Sequence, residues 1–266
     1  MSTLKQCSQQ PLGYPRRADV CDIADWNDPK YAPIEFTAPF IAQEPHPVWA
    51  DPTTVSLREL NARITYSDGH IKPLSEACTF DNTTRRFLNP FGKTGISGRG
   101  ALGKWGPNHA ADVLVTWESN AKCMVLLVSK HVGDSCNLAF PAGMVEPGKT
   151  VPATLYAELT EEAVKESNVV HRLFKECEVG IVYRGVVDDF RNTDHAWLET
   201  TAMHFHATPE IGEQLQLSIT DTNEIKGVAW YDITEVTEMY ASHIEWLTTL
   251  KTWWRSDLRR LTPCSE

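Results

Sequence analysis

Long apolar runs are missing from this 266-residue chain. None approaches the ~20 residues that a membrane-spanning helix needs, so no membrane segment is expected. A basic excess is missing too. Lys and Arg number 25 against 35 Asp and Glu, a net charge of −10. That argues against nucleic acid as a partner and leaves any anionic ligand to local basic groups. Paired cysteines are also absent. The seven, at positions 7, 21, 78, 123, 136, 177 and 264, are scattered, odd in number and without a CxxC spacing. Reduced thiols in an intracellular compartment are the expectation. No secretory signal opens the sequence. The basic residues ahead of Asp19 are Lys5, Arg16 and Arg17, with no amphipathic helix to make them a transit peptide. The cytoplasm is the compartment expected, with the mitochondrion as the alternative. Repeats and low-complexity tracts are not seen.

What remains is an ordinary globular composition, 42% hydrophobic and 23% charged, long enough for one large domain or two modest ones. Residues 1–30 are polar, contain prolines and show little periodicity, which predicts a flexible tail. Across 31–107, prolines, aromatics and turn signals alternate with short apolar runs, which predicts an irregular domain of short strands. From 108 to 266, strands are expected over Asp112–Trp117, Lys122–Lys130, Leu138–Pro141, Glu178–Val187, Trp197–His206 and Ile225–Ile233. Two helices are expected. One follows Thr150; the other runs from Ser242 to near Arg259, with Leu247, Leu250 and Trp254 at helical spacing.

The most informative stretch runs from Gly143 to Glu162. A Gly-Met-Val-Glu-Pro-Gly turn leads into a helix with Thr150 as N-cap and Pro152 in its first turn. Glu158, Glu161 and Glu162 stand at i, i+3 and i+4 and share one face, where like charges repel by a few tenths of a kcal/mol per pair. Leu155, Leu159 and Ala163 form an apolar stripe beside them. Three acids so placed are either a solvated face or a site for a cation.

The stretch resembles a Nudix box, the loop–helix–loop that holds divalent cations in hydrolases of nucleoside diphosphates linked to another moiety. Gly143 matches its opening glycine, and Glu158-Leu159-Thr160-Glu161-Glu162 matches its E-U-x-E-E core. Two positions depart. Lys149 stands where the box has glutamate, and Ala157 where it has arginine. In the family those two commonly form an ion pair bracing loop against helix, and here both partners are gone together, which leaves no charge without its mate.

The similarity runs from about Trp49 to Trp254 and is strongest to the ADP-ribose pyrophosphatases. That subfamily includes a mitochondrial animal enzyme and the homologous C-terminal domain of ADP-ribose-gated melastatin-type channels. Gly98-Arg99-Gly100 followed by Trp105-Gly-Pro-Asn-His109-Ala-Ala-Asp112 is similar to one of its signatures, in which the histidine matching His109 lies at the nucleotide end. Read from residues alone, the Gly92–His109 stretch is either a flexible linker or an anion-binding loop whose glycines let backbone N–H groups approach a ligand. Asp188-Asp189-Phe190-Arg191-Asn-Thr-Asp-His195 is similar to D-D-P-R-N-T-D-N, with Phe190 for proline and His195 for asparagine. The residues matching Asp189 and Arg191 contact ligand there. Arginine suits a phosphate through its bidentate fork. Tyr240 and His243 become candidates for the adenosine end by stacking and hydrogen bonding; by themselves they read as cap and core residues. His204 and His206 share a strand face, but no third ligand is spaced for a metal.

The resemblance therefore implies an α/β Nudix fold, a mixed sheet sandwiched between helices, in 108–266, preceded by an irregular N-terminal cap domain over 31–107. It implies Mg²⁺-dependent hydrolysis of ADP-ribose to AMP and ribose 5-phosphate, with Mn²⁺ as an alternative metal. Glu158, Glu161 and Glu162 would be the metal and catalytic carboxylates. Arg99, His109, Gly143, Asp189, Arg191, Tyr240 and His243 would meet the substrate. The rival is an ADP-ribose-binding sensor domain of a parent cation channel with slow or no turnover. Lys149 and Ala157 lean toward the sensor, the intact glutamates toward the enzyme.

Overall fold

The computed structural model describes residues 26–67, 69–132, 135–219 and 225–255. Most of the expected tail, three of the cysteines (Cys7, Cys21 and Cys264) and the expected helix end near Arg259 lie outside the described residues. The described chain divides into two compact units, 26–109 with 184–200, and 110–183 with 201–255. The units are not contiguous in sequence, since 184–200 lies within the expected second domain but belongs to the first unit.

The first unit is built from short pieces. In order they are β1 (Ile34–Thr37), α1 (Pro39–Ala42), α2 (Leu57–Asn61), β2 (Ile64–Ser67), β3 (His70–Pro73), α3 (Leu74–Ala77), β4 (Phe80–Asp81), β5 (Arg86–Phe87) and β6 (Ile96–Gly100). β1 pairs parallel with β6, and β2–β3 and β4–β5 are antiparallel hairpins. No helix there exceeds five residues, too short to persist without tertiary packing. α2 begins with a full capping box, Ser56 and Glu59 each satisfying the other's backbone N–H. The core gathers Leu60, Leu74, Phe87, Trp105, Val186 and Trp197.

The remaining elements are β7 (Gly106–Ser119), β8 (Lys122–Val132), β9 (Ser135–Ala139), β10 (Ala142–Met144), α4 (Val151–Glu162), α5 (Ser167–Glu176), β11 (Glu178–Val186), β12 (Ala196–Ala207), α6 (Pro209–Gln214), β13 (Ile225–Asp232) and α7 (His243–Arg255). The seven strands order as β11-β12-β7-β8-β13, with β10 on β7 and β9 on β8. The β7–β8, β8–β9, β8–β13 and β7–β10 pairings are antiparallel.

Both faces of this sheet are covered in the second unit, which explains why Val113–Val115 and Met124–Val128 read as continuous apolar runs rather than alternating ones. On β7, Ala111, Val113 and Val115 pack with Leu155 and Leu159 of α4, Val170 and Leu173 of α5, Ile211 of α6 and Leu215 just beyond it. The intervening Asp112 lies 3.4 Å from His243 at the head of α7. α5 and α6 were not expected from the sequence, where only two helices were evident. The chain enters the box through two short strands, β9 and β10, rather than the single one expected.

Candidate active site

Glu158 and Glu162 come together with the turn opposite them. α4 starts at Thr150, whose hydroxyl accepts the N–H of Ala153, and its buried Leu155 and Leu159 fix which face turns to the sheet. The i, i+4 spacing then sends both carboxylates toward β10. Glu162 is 5% exposed; its Oε2 accepts the N–H of Ala142 at 3.2 Å. Glu158 lies so close to Gly143 that a β-carbon at that position would overlap its carboxylate. Glu161, one face round, is exposed.

Two lysines stand near. Lys130 of β8 places Nζ 2.8 Å from Glu162 Oε1 and 3.1 Å from the Ala142 carbonyl. Lys149 pairs with Glu146 at 2.8 Å inside the turn. Its pKa is raised by the hydrogen bond to Glu146, then by the charges of Glu146, Glu161 and Glu158. The lysine that replaces the box's first glutamate is thus bonded within its own loop and lies in the field of the helix acids. Among the described residues no group of three or more His, Cys, Asp or Glu is gathered as for a metal ion. The donors nonetheless fit one in kind. Two carboxylates and a main-chain carbonyl meet at residues 142–143, and a protein ammonium already stands at the Glu162 carboxylate and that carbonyl as a cation would.

Beside Phe140, two residues ahead of Ala142, His243 is buried. Its Nδ1 accepts the N–H of Phe140 at 3.0 Å, and its ring stacks on Phe140 and Trp246 at 5.6 and 4.8 Å. Tyr240 packs edge-on against it at 5.8 Å and ties its N–H to the Leu138 carbonyl. The two are therefore adjacent, with His243 inside an aromatic stack and Tyr240 half-exposed. His204 and His206 both bond the Thr116 hydroxyl, at 2.6 and 2.9 Å, which is a core polar contact rather than a metal pair.

The other sequence candidates belong to the first unit. Asp189 is buried, and Arg191 lays its fork along it: Nε to Oδ1 at 2.7 Å and Nη2 to Oδ2 at 3.0 Å. Its neighbours Asn192, Thr193 and Asp194 are buried and satisfied internally. Asn192 bonds Val187 and Leu198, Thr193 bonds Gly98, and Asp194 takes hydrogen bonds from Tyr31 and Thr94. Asp194 and His195 line a cavity of about 830 Å³ with Arg86 and Trp105.

Arg99 is 2% exposed. It donates to the carbonyls of Asp51 and Gly103 and lies over Trp105, so its guanidinium braces the chain around it. The glycines near it are likewise explained by packing. Gly98 has φ +85°, and a β-carbon there would overlap the Phe36 carbonyl of the neighbouring β1. Within this stretch Ile96–Gly100 is strand β6, packed closely on β1.

His109 sits against Tyr66, edge to face at 5.1 Å, with Glu199 Oε2 3.9 Å from its Nδ1. Burial, then Lys104, lowers His109 to about 4. Burial raises Glu199 to about 7 although Trp197 Nε1 and Tyr66 N–H both donate to it. The two are therefore not an ion pair near neutrality, for the imidazole is uncharged and the carboxyl is close to half-protonated. Glu199 and Lys130 are the residues that sequence reasoning passed over. Each is a lone charged side chain within or ending an apolar strand, and that was the available signal.

A model described as "NUDIX domain" matches residues 107–250, and one described as "NUDT9-like, N-terminal domain" matches 22–106. The first covers more than half of the chain. The chain belongs to the Nudix family. The Nudix fold, a mixed sheet between helices, is the architecture built above from β7–β13 and α4–α7, with an N-terminal domain ahead of it. Curated relatives agree. The rat protein named "ADP-ribose pyrophosphatase, mitochondrial" is 35% identical, covering 85% of this chain and 69% of that one. "Putative nudix hydrolase 6" of Caenorhabditis elegans is 38% identical over 77% and 78%. A "Transient receptor potential cation channel subfamily M member-like 2" of Nematostella vectensis is 34% identical, covering 89% of this Nudix chain but 17% of the channel. Among the described residues no helix is long and apolar enough to cross a membrane.

Proposed function

We propose that this Nudix protein hydrolyses the diphosphate of ADP-ribose, giving AMP and ribose 5-phosphate. The observation that carries the proposal is the meeting of Glu158 and Glu162 on the Ala142–Gly143 turn, in a chain whose relatives include a protein named as an ADP-ribose pyrophosphatase. Glu158 and Glu162, with Glu161 beside them, would hold Mg²⁺, or Mn²⁺ in its place. The bound ion would supply neutralisation of the diphosphate's charge and polarisation of phosphorus. The chain's own part is to orient and desolvate. Gly143 leaves room for the Glu158 carboxylate. Asp189 fixes the orientation of the Arg191 guanidinium, a planar group suited to a phosphate or ribose edge. Tyr240 offers an aromatic face backed by His243, suited to an adenine ring. His109, uncharged near neutrality, can accept or donate one hydrogen bond at the nucleotide. Arg99 enters as a brace for its own segment. The domain reading goes with this: cap over 31–107 and catalytic domain over 108–266, in keeping with the two family matches.

Incubation with ADP-ribose and Mg²⁺ tests the proposal. AMP should appear, stop on chelation, and fall on the order of 100-fold or more in E162Q. Undiminished release by E162Q would remove the carboxylates from the chemistry.

A second reading, an ADP-ribose sensor with little turnover, is favoured by one observation. Lys149 is bonded to Glu146 and Ala157 offers no arginine, so the loop lacks the family's brace to α4. ADP-ribose that binds with Mg²⁺ yet stays intact over hours would decide for it.

A further inference from the structure

The Nudix box of this chain carries a cation of its own. Lys130 Nζ donates to Glu162 Oε1 at 2.8 Å and to the Ala142 carbonyl at 3.1 Å, while Glu162 Oε2 accepts from the Ala142 N–H. The two side chains are 19% and 7% exposed. The ammonium therefore sits with a carboxylate and a carbonyl, the oxygen types a hard divalent ion takes. A carboxylate so covered is costly without a partner, and Lys130 is a partner that needs nothing from solution.

We propose that Lys130 is a built-in counter-cation that competes with the divalent metal for Glu162. In the metal-free protein it holds the helix to β8 and β10 and neutralises the buried acid. Metal entering at Glu162 meets a carboxylate already engaged, and the ammonium must give up that contact. Resting affinity for metal is accordingly weaker than the glutamates alone would give, and Lys130 sets the metal concentration at which the site fills. This inference rests on the metal-dependent reading above and concerns the residue that opposes it.

Mn²⁺ binding to the full chain without nucleotide, followed by the electron paramagnetic resonance of free Mn²⁺, tests the idea apart from activity. K130M should bind Mn²⁺ roughly tenfold more tightly than the wild type, the scale of one charge-assisted contact. K130R, which keeps a cation, should stay near wild type. In EDTA, K130M should melt below the wild type, and added Mn²⁺ should raise its melting temperature more than it raises the wild type's. K130Q, uncharged but able to donate to Ala142, should show the same tightening if K130M folds poorly. Equal or weaker Mn²⁺ affinity in K130M and K130Q, with the wild type binding normally, overturns the Lys130 proposal and leaves the metal reading standing. No Mn²⁺ binding by any of the proteins, E162Q included, overturns both.

Discussion

Gly143 is the position where a missing side chain matters most. The obstacle to a β-carbon there is the carboxylate end of Glu158, a flexible side chain, not backbone. G143A should therefore cost little stability, within about 0.5 kcal/mol, because Glu158 can rotate away. The same rotation takes that carboxylate off the Ala142–Gly143 turn. We expect G143A to melt near the wild type while its Mn²⁺ affinity and AMP release both fall; loss of fold without separate loss of metal binding would refute this assignment. Glu199 gives a second residue-scale prediction. Its folded pKa, about 7, lies above its unfolded value near 4.5, so the folded protein holds a proton that the unfolded chain releases. The carboxyl's contribution is fully present below about pH 4.5 and is lost as pH rises through 7. E199Q should gain stability relative to the wild type across that window, by at most about 3 kcal/mol at pH 8, seen in paired denaturation curves at pH 5 and pH 8. An advantage that does not grow with pH would count against a protonated Glu199. At this scale the box acids and Gly143 were legible because their partners lie within twenty residues. Lys130 was not, because it meets Glu162 from 32 positions away across a strand, and nothing local announces that. The surroundings of Arg99 were hidden for the converse reason: a glycine-flanked cation looks open in sequence, whereas its carbonyl partners at Asp51 and Gly103 come from the tertiary fold.

Among the elements, α4 was readable and α5 was not. α4 has a start signal, Thr150 with Pro152, and its cap is made. T150A should lower stability by about 1 kcal/mol and slacken the turn that faces Glu158, measurable as faster amide exchange over 143–150. Protection there unchanged from the wild type would mean that the Lys149–Glu146 pair, not the cap, orders the turn. α5 opens at Glu166 with no side-chain cap, and its buried Val169, Val170 and Leu173 are too few to stand out beside the charges between them. α6 does carry a Thr208-Pro209 start, but Gly212 in its middle reads as a breaker. The structure supplies the reason for that glycine, since the Trp117 ring lies where a β-carbon would go. Strands β7 and β8 were anticipated because burial on both faces leaves a continuous apolar run, the least ambiguous pattern a strand can have.

For the molecule as a whole, its buried histidines dominate its response to acid. Burial holds His109 and His195 at about 4 and His204 at about 3, against about 6.5 in an unfolded chain. Each binds a proton on unfolding that it refuses when folded, so its contribution is complete above pH 6.5 and is lost as pH falls toward 4. Glu199, and Asp194 with its burial-raised pKa, act in the opposite sense because they keep protons in the folded state. Three against these two leaves a net uptake of one to two protons, a fall on the order of 1–3 kcal/mol per pH unit between 6.5 and 5. His195 is the histidine to remove, since an asparagine there is the family's own choice and its amide oxygen can take over the Gly98 N–H that the imidazole Nδ1 now accepts at 3.4 Å. H195N should match the wild type near pH 7.5 and outlast it at pH 5, with a stability–pH slope shallower by about one proton. Denaturant unfolding at half-unit pH steps measures that slope. If the two proteins run parallel down to pH 5, His195 titrates as it would in water, and the acid sensitivity must come from His109 and His204 alone.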